Sequence, residues 1–302
     1  MTTGAINDAP LILLQTNITS GNQNRMKQSN YHTLNIAHRG ARSLAPENTL
    51  AAAQKALEIG ADMWELDVGL TADGELILMH DNTLERISNV ADRFPARQNW
   101  WAYQFTLAEL RQLDFGSWFN QTDPFGQIAA GNVSPTDLNR YVGQPIPTLC
   151  EALTFTRDQD WRVNVEIKDW SNTPIDANIV EKVVDLIEKM DMSDQVLVSS
   201  FNYNYLERVK AANPKIATGV LVYQTHLPDP VALLRRLGAQ AYTPHLPLIQ
   251  SAAIADLREQ GFEVYIWTVN DEETMRTLIQ AGASGIITDF PQILKPILDA
   301  RR

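Results

Sequence analysis

Cysteine is nearly absent. Cys150 stands alone among 302 residues, so no intrachain disulfide can form and a small disulfide-stapled secreted fold is excluded. Long apolar runs are missing as well: no stretch approaches the roughly 18 residues that a membrane-spanning helix needs. The longest apolar stretch near the start, residues 10–14, is too short for a signal-peptide core and has no basic residues before it. A cytoplasmic location is therefore expected. Positive charge is in deficit, with 25 Lys and Arg against 36 Asp and Glu and a net charge of −11. That argues against nonspecific nucleic-acid binding and against docking on anionic membranes through charge. A small phosphate substrate stays compatible, because a few local cations can outweigh the mean field.

What is present suits one large α/β domain. The length is normal for a single barrel with an insertion, and 44% hydrophobic with 20% charged residues is an ordinary globular balance. Residues 1–31 are rich in Asn, Gln, Thr and Ser without a sustained period, and are expected to form a polar N-terminal tail. Residues 32–302 are expected to form one domain. Its strands are read at 34–37, 63–68, 162–167, 195–200, 217–222, 241–244, 263–269 and 285–288. Helices are read at 49–59, 148–157, 175–190, 203–212, 230–237, 251–260 and 272–281. Strands alternating with helices in this number predict a (β/α)8 barrel.

Two regions interrupt the alternation. Residues 75–79 (Glu-Leu-Ile-Leu-Met) follow the second strand after Thr71-Ala72-Asp73-Gly74. A link that short cannot join parallel strands, and Asp-Gly between apolar runs signals a hairpin. The segment is therefore expected to run antiparallel and to carry His80 back toward Glu65 and Asp67. The second region, 84–145, is an insertion rich in aromatics: Trp100, Trp101, Tyr103, Phe105, Trp118, Phe119 and Phe125. It is expected to pack compactly over the barrel mouth, with most of these rings forming a satellite core rather than touching substrate.

The chemistry concentrates between residues 38 and 81: His38-Arg39-Gly40, Pro46-Glu47-Asn48-Thr49, Glu65-Leu66-Asp67 and His80-Asp81. Residues two apart on a strand share a face, so Glu65 and Asp67 point together, as do Glu166 and Lys168. All four interrupt apolar runs. Buried carboxylates converging at the barrel mouth demand a cation, and all-oxygen ligation favours Mg²⁺ or Ca²⁺ over Zn²⁺. Alternatively, Glu166 and Lys168 pair with each other or face outward. His38 and His80 form a candidate acid/base couple. Arg39 offers a fork for a phosphate or for Glu47, and Lys168 offers a point charge. His32, His226 and His245 are read as structural or surface residues.

These motifs, together with Glu166-Ile167-Lys168, Ser200-Phe201, Trp267-Thr268-Val269-Asn270 and Gly285-Ile286-Ile287-Thr288-Asp289, closely resemble the glycerophosphodiester phosphodiesterases. Thr106-Leu107-Ala108-Glu109-Leu110 and Ile146-Pro147-Thr148-Leu149 also look like family segments, and the similarity spans roughly residues 33–295. The resemblance implies a distorted (β/α)8 barrel that hydrolyses glycerophosphodiesters to glycerol 3-phosphate and an alcohol. It implies that Glu65, Asp67 and Glu166 bind a divalent metal, and that His38 and His80 are the acid/base pair. Arg39 and Lys168 would hold the phosphate, and Glu47 would orient Arg39 or help the metal. Phe201 and Trp267 would line the glycerol side. Competing readings are a phospholipase D-like activity on lysophospholipids, a Schiff-base aldolase using Lys168, and a non-catalytic binding barrel. The last two leave the paired histidines and carboxylates without a purpose.

Overall fold

A computed structural model describes residues 32–97 and 99–301, so the expected polar tail lies outside the described residues. The elements run β1 (Leu34–Ala37), α1 (Leu50–Ile59), β2 (Met63–Leu70) and β3 (Leu76–Leu78). Four short helices follow: α2 (Val90–Arg93), α3 (Leu107–Leu110), α4 (Ser117–Thr122) and α5 (Pro135–Tyr141). Then come α6 (Leu149–Asp158), β4 (Val163–Ile167), α7 (Ile179–Lys189), β5 (Val196–Ser200), α8 (Tyr203–Ala212) and β6 (Ala217–Val222). The chain ends with α9 (Pro230–Leu237), β7 (Ala241–Pro244), α10 (Ser251–Glu259), β8 (Glu263–Ile266), α11 (Glu272–Gln280), β9 (Gly285–Thr288) and α12 (Pro291–Asp299).

Eight parallel strands close a ring. The order is β1-β9-β8-β7-β6-β5-β4-β2, and β1 pairs back onto β2. The ninth strand, β3, sits outside the ring and pairs antiparallel with β2, Val68 opposite Leu78 and Leu70 opposite Leu76. The turn between them is the expected Asp-Gly turn: Gly74 adopts a φ of +81° and its N–H donates to Thr71 O at 3.1 Å. That pairing extends β2 two residues beyond the expected end at Val68.

Ile36, Met63, Leu197, Ala241, Tyr265 and Ile287 fill the barrel interior. Between strands and helices lies a second apolar shell. In α7, Ile179, Val180, Val183, Val184 and Ile187 are buried, the spacing of one helical face. Two segments noted in the sequence are capping boxes: Thr106 with Glu109 starts α3, and Thr148 with Glu151 starts α6. Each reciprocal pair satisfies orphan N–H groups at a helix start.

Three expectations needed correction. Strand β8 ends at Ile266 rather than Val269: beyond it Trp267 adds only an isolated parallel bridge to His245, and its indole N–H donates to Thr243 O at 2.9 Å. Helix α7 starts at Ile179, four residues late. Helix α12 was missed, because Pro296 reads as a helix breaker although the helix accommodates it. Within 84–145, Leu84, Ile87, Val90, Phe105, Leu110 and Phe115 form a satellite core with Ile77 and Met79 of the β3 return.

Candidate active site

The chemistry-bearing residues gather at the C-terminal ends of the strands, where barrel loops can converge on one ligand. His38 follows β1, Glu65 and Asp67 lie on β2, Glu166 lies on β4 and Lys168 follows it. Phe201 follows β5, Tyr223 follows β6, His245 follows β7, Trp267 follows β8, and Asp289 follows β9. A cavity of about 550 Å³ opens among them. Its charged side includes His38, Arg39, Arg42, Glu65, His80, Glu166 and Lys168. Phe201, Leu221, Tyr223, His245 and Trp267 line the other side.

The loop after β1 depends on unusual backbone conformations. Arg39 (φ +54°), Gly40 (φ +79°) and Asn48 (φ +54°) all take left-handed backbone. A Cβ on Gly40 would sit 2.6 Å from the backbone of Ala52, so only glycine fits. Thr49 caps α1 by accepting from Ala52 N at 3.1 Å. Asn48 reaches β2 instead, donating Nδ2–H to Asp67 Oδ2 at 2.9 Å and accepting from Asp67 N at 3.1 Å. Glu47 turns inward and meets three guanidinium groups: Arg39 at 2.9 Å, Arg42 at 2.8 Å and Arg86 at 2.6 Å. Burial pushes its carboxyl up, but the three arginines outweigh this and hold it at about 2.

Oxygen atoms of Glu65, Asp67 and Glu166 lie within 4.8 Å of one another, and all three residues are buried. Burial, with the charges of Asp67 and Glu166, pushes the Glu65 carboxyl well above the usual range. Burial also raises Glu166, against the pull of Lys168. Asp67 goes the other way: Arg39, His80 and Lys168 overcome burial and hold it far down. Glu65 Oε1 is buried and accepts no hydrogen bond. An orphaned carboxylate oxygen beside two more carboxylates is the donor set of a hard divalent cation. The residues fit such an ion.

The cations are partly committed to these acids. Arg39 donates its backbone N–H to Glu65 at 2.9 Å, and its Nε lies 3.2 Å from Asp67. Lys168 Nζ lies 2.7 Å from Glu166 and 3.7 Å from Asp67. Glu166 and Lys168 thus pair with each other, and both line the cavity rather than facing outward. His38 Nδ1 lies 2.6 Å from Asp289, and its Nε2 lies 4.0 Å from Glu65. Burial, followed by the charge of Arg39, lowers this imidazole to about 4 despite Asp289. His80 arrives as the hairpin predicts, with Met79 N donating to Asp67 O at 2.9 Å, and its Nδ1 lies 2.6 Å from Asp81. On the opposite wall, Phe201 packs edge-on against Trp267 at 5.6 Å, and Trp267 meets His245 at 4.9 Å and Tyr223 at 5.8 Å.

Residues 38–293 match the model of the glycerophosphoryl diester phosphodiesterase family. The chain belongs to this family. It is 36% identical over 262 residues to a glycerophosphodiester phosphodiesterase of Caldanaerobacter subterraneus subsp. tengcongensis, covering 87% of this chain and 96% of the relative. Among solved structures it resembles an Oleispira antarctica phosphodiesterase in complex with the product sn-glycerol-3-phosphate. That match has a TM-score of 0.72 at 29% identity and covers 87% and 96% of the two chains. A glycerophosphodiester phosphodiesterase from Parabacteroides distasonis matches with a TM-score of 0.69 at 25% identity, covering 89% and 98%.

The glycerophosphodiester phosphodiesterase site holds more than the sequence reading found. Arg42, Asp81, Arg86 and Asp289 contact the predicted residues directly, and Asn270 reaches them through Asp289. Asp81 and Asp289 stood inside the quoted motifs, so a signal was present and no role was drawn from it. His245 was read as structural or surface, yet it lines the cavity. It follows a short strand and has no chemical partner nearby in sequence.

Proposed function

We propose that this enzyme hydrolyses glycerophosphodiesters to glycerol 3-phosphate and an alcohol through the imidazoles of His38 and His80, supported by a divalent metal held by Glu65, Asp67 and Glu166. One observation carries the proposal: the imidazoles of His38 and His80, the clustered carboxylates of Glu65, Asp67 and Glu166, and the cations of Arg39 and Lys168 line or border a single cavity. Mg²⁺ and Ca²⁺ both suit the all-oxygen set, and either, when bound, neutralises charge developing on the phosphodiester.

The remaining steps belong to the chain's own side chains. Lys168 and Arg39 hold the nonbridging oxygens, and Glu47 keeps Arg39 extended toward them. One imidazole takes a proton from the attacking oxygen, that of water or of a substrate hydroxyl whose cyclic phosphate water then opens, while the other gives a proton to the departing alcohol oxygen. Both histidines turn Nδ1 to a carboxylate, which leaves Nε2 for this traffic. Phe201 and Trp267 pack against the carbon face of the glycerol moiety.

A panel of glycerophosphodiesters and lysophospholipids, assayed with Mg²⁺ and with Ca²⁺, tests the reading. Release of glycerol 3-phosphate from glycerophosphocholine is expected. Turnover of lysophospholipids alone would replace the reading with a phospholipase D-like one.

A further inference from the structure

Two aspartates outside the proposed catalytic set stand in matching positions. Asp289, at the end of β9, lies 2.6 Å from His38 Nδ1, and Asp81, at the end of the β3 return, lies 2.6 Å from His80 Nδ1. Each is itself fixed. Asn270 donates Nδ2–H to Asp289 Oδ2 at 2.8 Å and accepts the Asp289 backbone N–H at 3.0 Å. Among the described residues Asp81 has no such amide; Arg86 donates Nε–H to its Oδ2 at 2.6 Å. The same guanidinium spans to Glu47 at 2.6 and 3.1 Å, and it lies 5.8 Å from the ring of Trp118. One carboxylate is therefore anchored by the barrel itself, and the other by an arginine of the 84–145 segment.

We infer that Asp289 and Asp81 are positioning residues, each holding one catalytic imidazole as the Nδ1–H tautomer with Nε2 facing the substrate, and that Arg86 makes the His80 arm dependent on the 84–145 segment. A carboxylate at Nδ1 can only accept, so it fixes both the tautomer and the ring orientation. An amide in its place can donate to Nδ1, which moves the imidazole proton to Nε2 and blocks the base. This inference rests on the catalytic reading of the two histidines.

The test uses Asp81→Asn, Asp289→Asn and Arg86→Ala in the full chain, with His38→Ala and His80→Ala alongside. Two substrates are compared: a glycerophosphodiester of an ordinary alcohol and one of p-nitrophenol, whose departure needs no proton. With the ordinary substrate, each Asp→Asn variant is expected to lose at least about tenfold in kcat, with KM held within about threefold. Metal affinity, read by calorimetry, and melting temperature stay near wild type. With the nitrophenyl diester, the loss shrinks at least tenfold for the one aspartate that serves the general acid and persists for the other. Arg86→Ala reproduces the Asp81→Asn loss and adds nothing in the Asp81→Asn background. Wild-type kcat in both Asp→Asn variants, with the His→Ala variants inactive, would overturn this inference alone. Equal losses on both substrates, with weakened metal binding or folding, would also overturn it by making the aspartates merely structural. Active His→Ala variants would bring down the catalytic reading and the inference with it.

Discussion

On the β1–β2–β4 side of the cavity, charged groups hold one another: Glu47 meets three arginines, Asp67 meets Asn48 and Arg39, and the imidazoles of His38 and His80 meet Asp289 and Asp81. On the β5–β8 side, Phe201, Tyr223, His245 and Trp267 are held mainly by ring against ring at 4.9–5.8 Å. Hydrogen-bonded ion networks have one good arrangement, whereas ring packing tolerates shifts of angle and offset. On the proposed mechanism, the charged wall fixes the reacting atoms. The aromatic wall is built to accept a moiety of given size and apolarity. Tyr223, half exposed, marks the outer edge of that second wall.

If this division holds, removing the metal strikes hardest. Chelation with EDTA is expected to abolish activity, and Mg²⁺ or Ca²⁺ to restore it. The Glu65 and Glu166 carboxyls, raised in the fold, hold protons above the usual 4.5 of a glutamate. Their contribution to the metal-free fold is present below that value and fades as pH rises through their folded values. A metal ion binds only the ionised forms. Stabilisation by Mg²⁺ in thermal melts should therefore grow as pH rises from 4.5, and a pH-independent increment would contradict the proposed metal site. Next in size, His38→Ala and His80→Ala should each lower kcat by about 10²–10⁴-fold with circular dichroism unchanged. Full activity in the double variant would end the mechanism.

Glu47→Gln probes the charged wall through stability. Breaking a buried carboxylate from its cations should cost about 3–5 kcal/mol in denaturant titrations near neutral pH. Because Glu47 is held down at about 2, its stabilisation is complete above the usual 4.5 and is lost as pH falls through about 2. The gap between variant and wild type should accordingly close over that window. A gap that stays constant down to pH 2 would show that Glu47 acts through packing instead.

The aromatic wall should answer differently. Trp267→Ala and Phe201→Ala are expected to raise KM about tenfold, equivalent to ~1.4 kcal/mol of lost binding, with kcat within about threefold. A loss in kcat comparable to that of the histidine variants would erase the distinction between the walls. The smallest change is expected for Tyr223→Ala, about two- to threefold in KM, since a half-exposed ring surrenders little contact.

Much of this was legible because the signals are local. Strand and helix alternation, the Asp-Gly hairpin, and the pairs Glu65/Asp67 and Glu166/Lys168 rest on backbone periods of two and 3.6 residues. Those periods, read with the motifs, determined the barrel, the antiparallel return of His80 and the proposed carboxylate set. Tertiary structure alone decided which carboxylate meets which histidine. Asp289 lies 251 residues from His38 and reaches it only because β9 pairs with β1 where the ring closes. Arg86 reaches Glu47, 39 residues earlier, because β3 returns beside β2, and His245 meets Trp267 because β7 pairs with β8. No sequence period records such contacts, because they depend on where separate strands end in space rather than on spacing along the chain.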